Sequence, residues 1–331
     1  MANDIDFSAA LQTALERHLG RPVAVRNLQR LTGGANRTTM SFEADIDGAR
    51  RGLIVQLGTL TTDPCAGIVP EITTEQQAHV MIAAARAGVP APRVVAILEP
   101  VDGLGEGYIT EYVAGETLGP RIVRDARFAA ARPRMAPQCG EILAAIHRID
   151  PKELPFLIRQ DAGEHVAAHR RIVDFYGFRL PALEMALRWA AENVPRNRRL
   201  GVVHGDFRTG NLIVGEDGIR CVLDWELAQI GDPMQDLGWL CIRTWRFGGS
   251  GPVGGFGTRA DLYDAYERAS GYAIDPAHVR FWEAFANVKW AIDCLRLGMR
   301  GVEERGIERS AIGRRIEEPL WDFFELIENN E

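Results

Sequence analysis

Two acids and one amide between residues 204 and 226 have the types and spacing needed for metal-assisted chemistry on a phosphate group. Asp206 precedes Asn211 by five residues in the stretch HGDFRTGN. Asp224 follows after two apolar runs, NLIV and RCVL, which are separated by the turn-forming sequence GEDG. Carboxylate and amide oxygens are the ligands that Mg²⁺ prefers, and a metal held by only a few protein oxygens keeps positions for water and phosphate.

The two apolar runs predict a β-hairpin, because Asp-Gly is a strong signal for a two-residue hairpin loop. With Asp217-Gly218 as that loop, Leu212 pairs with Leu223 and Asn211 pairs with Asp224. Directly opposed residues project from the same face of a hairpin. We therefore expect the amide oxygen of Asn211 and the carboxylate of Asp224 to converge as a metal-binding pair.

Asp206 lies in a loop too rich in glycine and polar residues to continue the strand GVV at 201–203. A carboxylate beside a metal-held electrophile is placed to act as a general base for a hydroxyl. Arg208 could neutralise charge on a transferred phosphoryl group. Taken singly, each of these residues is more often a turn or capping residue; their combined spacing favours the catalytic interpretation.

Composition excludes several other classes of protein. The chain has 331 residues, 46% hydrophobic and 25% charged, which is typical of a folded globular protein. Its net charge of −7 argues against a nucleic-acid partner, and the absence of a long apolar run or a signal-like start predicts a cytoplasmic protein without a membrane partner. Five scattered cysteines without a CxxC pair predict reduced, mostly buried thiols.

The first part of the chain predicts an amphipathic helix followed by a small antiparallel sheet with one main helix. The strand-like runs are PVAVRNLQRL, RTTMSFEAD, RGLIVQLG, PRVVAILEP and EGYITEYV, and the helix ITTEQQAHVMIAAARAG lies between the third and the fourth. A glycine-rich turn, TGGAN, joins the first two strands. After Val113 long helical patterns dominate, so we predict an N-terminal unit of residues 1–113 and a mostly helical unit of residues 114–331.

The motif HGDFRTGN, followed after a hairpin by VLDWE, resembles the catalytic loop and metal-binding segment of the aminoglycoside phosphotransferase and choline kinase family. The resemblance covers nearly the whole chain and implies an α+β, bilobal, protein-kinase-like fold. The later sequence GDP at 231–233 and DLGWL at 236–240 is most similar to kinase-like domains that occur alone in bacteria or fused to acyl-CoA dehydrogenases.

The resemblance also implies roles for individual residues. Asp206 would be the catalytic base and Asn211 and Asp224 the Mg²⁺ ligands, while Asp236 would hold the catalytic loop by hydrogen bonds. Residues implied to bind the nucleotide are Gly33, Gly34 and Asn36 in the loop over the phosphates, Glu111 and Val113 in the hinge beside adenine, and Glu75 as the ion-pair glutamate on the helix after the third strand. The implied nucleotide is ATP, with GTP left open.

One position departs from the family pattern. Gln56 stands on the third strand where a lysine or arginine normally contacts the phosphates, and the two lysines of the chain, Lys152 and Lys289, both lie beyond the first unit. We expect a nearby arginine (Arg37, Arg50 or Arg51) to take over this role. The alternative is a non-catalytic, nucleotide-binding pseudokinase.

The predicted function is Mg²⁺-dependent transfer of the ATP γ-phosphoryl group to a hydroxyl of a small metabolite, by a monomer or homodimer. Mixed charges on the helices after Asp236 favour a neutral or anionic acceptor over an aminoglycoside. The run GSGPVG at 249–254 matches a dinucleotide fingerprint, but it does not follow a strand and is predicted to be a loop near the cleft. The aromatic residues of FWEAFANVKW and LWDFFELI are predicted to lie in the core.

Overall fold

The computed structural model describes residues 7–31, 38–58, 65, 68, 71–196, 199–303 and 311–328. A five-stranded antiparallel sheet comes first and helices dominate the rest, so the predicted α+β class is confirmed. The predicted metal-binding hairpin interrupts the helices.

The strands form one large sheet and two small ones. The large sheet contains β1 (Val23–Arg30), β2 (Thr38–Ile46), β3 (Ala49–Leu57), β4 (Val94–Ile97) and β5 (Gly107–Glu111), in the order β1-β2-β3-β5-β4. The two small antiparallel sheets pair β6 (Gly201–Val203) with β9 (Gln229–Gly231), and β7 (Leu212–Gly215) with β8 (Gly218–Val222).

Ten helices are present in the described part of the chain. They are α1 (Phe7–Leu19), α2 (Thr74–Arg86), α3 (Gly119–Arg124), α4 (Arg132–Ile146), α5 (Ala162–Tyr176), α6 (Pro181–Glu192), α7 (Met234–Cys241), α8 (Arg259–Ser270), α9 (Pro276–Glu303) and α10 (Glu317–Glu328). Every helix predicted from the apolar spacing is found, while the six-residue α3 and the strand β9 are too short to leave a periodic signal.

Two local sequence features fix α2 beside the sheet. A reciprocal capping box at its start joins the Thr73 hydroxyl to the Gln76 backbone N–H, and the Gln76 side chain to the Thr73 N–H. The buried face of the helix includes Gln77 and Met81, which are four residues apart and therefore lie on one side.

Helices α7 and α9 pack closely because Gly238 carries no side chain. A Cβ atom at this position would lie 2.6 Å from the backbone nitrogen of Glu283 in α9. This close approach brings Trp239 of α7 next to Lys289 of α9, a contact described below.

The core confirms some of the predicted burial and corrects the rest. All five cysteines are buried, and so are Phe281, Phe285 and Phe323. The prediction was wrong for two tryptophans, because Trp290 lines the main cavity and Trp321 is exposed. None of the helices in the described ranges has the length and apolarity needed to cross a bilayer.

Two buried histidines of α5 make the fold sensitive to acid. The rings of His165 and His169 are stacked with centroids 5.0 Å apart. Burial lowers the pKa of His169 to about 4, opposed in part by Asp293 and reinforced by the charges of Lys289 and Arg296. Burial also lowers the pKa of His165 well below its ordinary value, with the His169 charge adding to the effect. Both side chains are therefore neutral in the folded protein at pH 7, as expected of buried core histidines.

We predict that acidification from pH 7.5 to pH 5 destabilises the wild type through these histidines. Because the folded pKa of His169 lies below the unfolded value near 6.5, the unfolded chain binds more protons as the pH falls from about 6.5 towards about 4. At pH 5 this one group lowers the free energy of unfolding by about 2 kcal/mol. Urea titrations at the two pH values should give a larger loss for the wild type than for His169→Gln. Equal losses in the two proteins would contradict the assignment.

Candidate active site

The predicted catalytic loop follows β6 and begins with a backbone conformation that favours glycine. Gly205 has a φ of +80°, and a Cβ atom there would collide with the carbonyl oxygen of Leu227. The sharp turn at Gly205 directs Asp206 into the interior of the molecule instead of along the strand.

A buried carboxylate holds this loop in place. Asp236 on α7 accepts hydrogen bonds from the backbone N–H of His204 (2.8 Å) and of Gly205 (2.9 Å), and its Oδ2 lies 3.1 Å from Nε2 of His147. Burial alone would raise the pKa of Asp236, but the hydrogen bond and charge of His147, the charge of His204 and the backbone donor of His204 lower it overall. Asp236 is therefore an ionised anchor without contact to the open cavity, and its predicted hydrogen-bonding role is observed directly.

The side chain of His204 ties the catalytic loop to the metal-binding segment. Its Nδ1 accepts the backbone N–H of Asp206 at 3.2 Å, so the neutral ring carries its proton on Nε2 and donates it to the carbonyl of Leu223 at 3.0 Å. Burial lowers the pKa of His204. These bonds assign a structural role to this histidine.

Three donors surround the Asp206 carboxylate. The indole N–H of Trp239 donates to Oδ1 at 2.7 Å, and the Asn211 amide donates to Oδ2 at 2.7 Å and to the Asp206 carbonyl at 2.9 Å. Arg208 Nε lies 3.1 Å from Oδ1, and its guanidinium lies over the Trp245 ring at 4.6 Å. These donors fix the orientation of Asp206. The amide nitrogen of Asn211 is directed at Asp206, so Oδ1 of Asn211 is the atom that a metal ion would use.

The register predicted for the hairpin was wrong by one residue. The observed loop is Glu216-Asp217, closed by pairing of Gly215 with Gly218, and Leu212 pairs with Val222 instead of Leu223. A bulge at Arg220 shifts the alignment, because Val214 pairs with Ile219 while the preceding Ile213 pairs with Cys221.

Asp224 nevertheless lines the same cavity as Asn211. The backbone N–H of Leu223 donates to the Asn211 carbonyl at 2.8 Å, so the strand pairing ends one residue before Asp224. Asp224 itself has a φ of +65°, a left-handed conformation that is uncommon outside glycine, asparagine and aspartate. The turn at Asp224, instead of direct strand pairing, brings the two oxygen-bearing side chains to one cavity.

This cavity has a volume of about 790 Å³ and contains most of the predicted site. Residues from the large sheet and the segment after β5 form one side, and residues of the catalytic loop, the hairpin, α7 and α9 form the other. The predicted site residues that line it are Gln56, Glu111, Val113, Asp206, Arg208, Asn211 and Asp224. The predicted loop residues Gly33, Gly34 and Asn36 lie outside the described residues.

Glu75 is the predicted site residue that the structure places away from the cavity. Its side chain is 70% exposed and its nearest charged partner is His79, at 3.9 Å, one turn along α2. Gln77 is a buried polar side chain on this helix, which donates to the Ile72 carbonyl at 2.9 Å and lies one turn before the cavity-lining Met81. Glu75 and Gln77 are two positions apart, a spacing that places them on different faces of the helix.

Gln56 has a neutral partner in place of an ionic one. It pairs with Tyr108 across β3 and β5, and the Tyr108 hydroxyl donates to Gln56 Oε1 at 2.5 Å. Arg50 lies six residues earlier on β3, about 20 Å along an extended strand, where it pairs with Asp45 and Glu43. Arg51 is also exposed near that end. The structure thus does not bring either of these arginines to Gln56, and Arg37 lies outside the described residues.

Sequence reasoning missed Trp239 and Lys289 as parts of the site. Trp239 was noted within the DLGWL motif without a role, and Lys289 was noted as one of two lysines. Lys289 donates to the Gly205 carbonyl at 3.0 Å and lies over the Trp239 ring at 4.2 Å. The isolated tryptophan after Asp236 and the isolated lysine in an arginine-rich chain were the available signals.

The glycine-rich run at 249–254 packs against the catalytic loop. Val253 is fully buried, and the Thr209 hydroxyl donates to the Gly254 carbonyl at 2.9 Å. No helix begins within this run, so its sequence match to a dinucleotide fingerprint has no matching structure.

Comparison with known proteins places this geometry in context. The chain matches the phosphotransferase enzyme family over residues 47–282. It is 28% identical over 196 residues to acyl-CoA dehydrogenase family member 10 of Mus musculus, an alignment covering 55% of this chain. That alignment covers 18% of the mouse protein, so the chain corresponds to a small part of this relative.

Two solved structures share the fold. A choline/ethanolamine kinase family protein from Mesorhizobium loti superposes with a TM-score of 0.60 at 18% identity, covering 92% of this chain and 89% of that one. A spectinomycin phosphotransferase, solved with ADP and spectinomycin, gives a TM-score of 0.60 at 14% identity, covering 96% and 93%. The predicted bilobal, kinase-like α+β fold and the predicted family resemblance are confirmed.

We predict that Asp236→Asn loosens the catalytic loop. Asparagine has one acceptor oxygen, so its amide group would face a backbone N–H or His147 and leave a buried donor unpaired, at a cost of about 1 to 3 kcal/mol. Hydrogen–deuterium exchange read by mass spectrometry should speed up in the peptide that contains His204 and Gly205.

The matched control is Asp232→Asn. Asp232 is also buried, but it contacts His278 and the Met234 N–H and has no hydrogen bond to residues 204–211. Its loss should reduce stability without selective exchange in the catalytic-loop peptide. Unchanged protection of that peptide in Asp236→Asn would contradict the anchoring role.

Proposed function

The chain belongs to the phosphotransferase enzyme family, and from that premise we propose that it transfers the γ-phosphoryl group of ATP to a hydroxyl of a small molecule, with Mg²⁺. In this proposal residues 1–113 are the nucleotide-binding lobe, and residues 114–331 carry the catalytic loop and the acceptor cleft. GTP is the alternative donor.

One observation carries the proposal: Asp206, Asn211 and Asp224 line a single cavity whose opposite side is formed by the sheet and the hinge segment. The nucleotide would lie between the two sides, with its adenine beside the backbone of Glu111 and Val113. Its phosphates would then point towards the hairpin, so that the γ-phosphoryl group meets Asp206.

The donor set at the hairpin fits Mg²⁺. Asn211 and Asp224 supply one amide and one carboxylate, both hard oxygen ligands, and this number suits an ion that keeps water and phosphate in its other positions. When bound, the ion would neutralise negative charge on the phosphates.

Asp206 is the proposed general base. Its carboxylate would accept the proton of the acceptor hydroxyl as that oxygen bonds to the γ-phosphorus and the bond from the γ-phosphorus to the β,γ-bridging oxygen breaks, which releases ADP. The donors from Trp239, Asn211 and Arg208 hold Asp206 in one orientation for this step. Arg208, which follows Asp206 by two residues in the same loop, would meet the charge on the transferred group.

The test compares the base with the metal ligand. Asp206→Asn should reduce phosphotransfer, measured as ADP release with a panel of alcohols, amino sugars, choline-like amines and hydroxyacyl thioesters, by about 10² to 10⁴-fold. It should retain the rise in melting temperature caused by Mg-ATP, because a general base stabilises the transition state and not the bound nucleotide. Asp224→Ala should lose the Mg²⁺-dependent part of that rise. If Asp206→Asn loses ATP binding as strongly as it loses turnover, the assignment of Asp206 as the general base is contradicted.

A second candidate function is nucleotide binding without transfer, and Gln56 is the observation that favours it. A glutamine hydrogen-bonded to Tyr108 gives the phosphates no positive charge from the sheet. Glu75 faces solvent and so offers no carboxylate to a cation at this place. The complete set of Asp206, Asn211 and Asp224 favours the enzyme.

We predict that Gln56→Lys lowers the KM for ATP by about tenfold, since a charge-assisted phosphate contact contributes on the order of 1.4 kcal/mol or more. The same change should lower the melting temperature of the nucleotide-free protein, because the new ammonium lacks a carboxylate partner until phosphates bind. Gln56→Met removes the bond to Tyr108 without adding charge and should not lower the KM. If Gln56→Lys leaves the affinity for ATP unchanged, the phosphates do not bind beside residue 56. Tight Mg-ATP binding with no transfer to any acceptor would favour the second candidate.

A further inference from the structure

Lys289 is a buried cation without an acidic partner in the described part of the chain. The residue is 9% exposed and lines the cavity. Its ammonium donates to the Gly205 carbonyl at 3.0 Å and lies 4.2 Å from the centre of the Trp239 ring. Within the described ranges no carboxylate lies within 4 Å of it.

Burying the Lys289 ammonium without a carboxylate partner costs free energy, which a bound anionic ligand would offset. Removing an ammonium from water carries a large penalty that one carbonyl and one aromatic face offset only in part. An ammonium has three donors, and one is used by Gly205. The remaining donors and the unbalanced charge call for an oxyanion.

The part of the wall that α9 contributes favours an anionic ligand over a cationic one, whereas the acids Glu71, Glu111, Asp206, Asp224 and Glu226 line the cavity from other parts of the chain. Of the acids that the sequence places on α8 and α9 near the cleft (Asp261, Asp264, Glu267, Glu283 and Asp293), all of them described, Asp293 is the one that lines the cavity. It pairs with Arg296, another cavity residue, at 3.5 Å. Glu283 is buried and pairs with Arg259 at 2.6 Å, away from the cavity.

The position of Lys289 assigns the oxyanion to the acceptor and not to the transferred group. Lys289 lies on α9, on the opposite side of the cavity from Gln56 and Glu111. Arg208 is the cation next to Asp206, at 3.1 Å, and meets the transferred phosphoryl group in the proposed function. The Trp239 indole separates the two roles, because its N–H contacts Asp206 while its face contacts Lys289.

We propose that Lys289 forms an oxyanion subsite in the acceptor cleft, with the Trp239 ring as its aromatic wall, and that the acceptor is therefore a hydroxylated organic anion. Its carboxylate or phosphate binds the ammonium while its hydroxyl faces Asp206. This inference rests on the proposed phosphotransfer, and it names the class of acceptor.

The test measures binding separately from turnover. Calorimetry in the presence of Mg-ADP compares glycerol with glycerate and glycerol 3-phosphate, which add a carboxylate or a phosphate to a similar backbone, and with choline as a cation. The wild type should bind at least one of the anions about tenfold or more tightly than glycerol, and choline no more tightly than glycerol. The carboxylate and phosphate arms distinguish the two kinds of anion.

Lys289→Met should remove this preference for the anion while changing glycerol binding and the affinity for Mg-ADP by less than about twofold. Lys289→Arg should keep the preference. Lys152→Met, which changes the other lysine in a short turn outside the cavity, is the matched control and should behave as wild type.

Several results would overturn the proposal. Equal affinity of the wild type for glycerol and both anions, or tighter binding of choline, contradicts it without any variant. Equal weakening of neutral and anionic ligands in Lys289→Met would mean that the ammonium only supports Gly205. Weakened binding of ADP with aluminium fluoride to Lys289→Met, without acceptor, would assign Lys289 to the transferred phosphoryl group.

The failure of this subsite can be distinguished from the failure of the proposed phosphotransfer. Lysine-dependent anion binding without turnover would contradict the proposed phosphotransfer alone, whereas turnover of neutral acceptors independent of Lys289 would contradict this subsite alone.

Discussion

The hydrogen bonds to the buried carboxylate of Asp236 are the constraint on which the active-site geometry depends. They begin a polar network that runs from Tyr266 through His147 to Asp236 and on to the backbone of the catalytic loop. His204 extends the network to Leu223, next to Asp224. Since a buried acceptor must be satisfied, the fold cannot move this loop without leaving several polar groups unpaired. The proposed base and both proposed metal ligands are thereby fixed relative to each other.

The distribution of positive charge distinguishes this cleft. On the sheet side Gln56 and Tyr108 form a neutral pair, and the buried polar residues of α2, Thr74 and Gln77, are also neutral. On the opposite side Arg208 and Lys289 lie against tryptophan rings close to Asp206. The Trp239 ring helps Lys289 to remain charged in a partly desolvated site without a carboxylate partner in the described part of the chain, whereas Arg208 pairs with Asp206 and also lies over Trp245. In the proposed function the cleft would therefore offer these cations to the transferred group and the acceptor more than to the nucleotide.

The sequence was sufficient for the elements and for the catalytic motif, and insufficient where structure depends on register or on distant contacts. Apolar periodicity identified the five strands of the sheet and the long helices, because a period of two or 3.6 is a local property. The hairpin register failed because the two-residue loop is Glu216-Asp217 instead of Asp217-Gly218, which shifts the pairing by two residues, and the bulge at Arg220, which leaves no sequence signal of its own, reduces the shift to one. The position of Glu75 after β3 predicted a place in the cleft, but the buried face of α2 includes Thr74 and Gln77 while Glu75 between them is exposed. Trp239 and Lys289 meet through the packing of α7 on α9, a contact between residues fifty positions apart that no local pattern encodes.

The most direct test of phosphotransfer at the Asp236-anchored loop is phosphorus NMR of the protein with Mg-ATP and a mixture of hydroxylated acceptors. The account predicts that the γ-phosphorus signal of ATP is lost while ADP and a new phosphomonoester signal grow in equal amounts, and that omission of Mg²⁺ prevents the change. ATP that remains intact with every acceptor, or that yields inorganic phosphate in place of an ester, would contradict it.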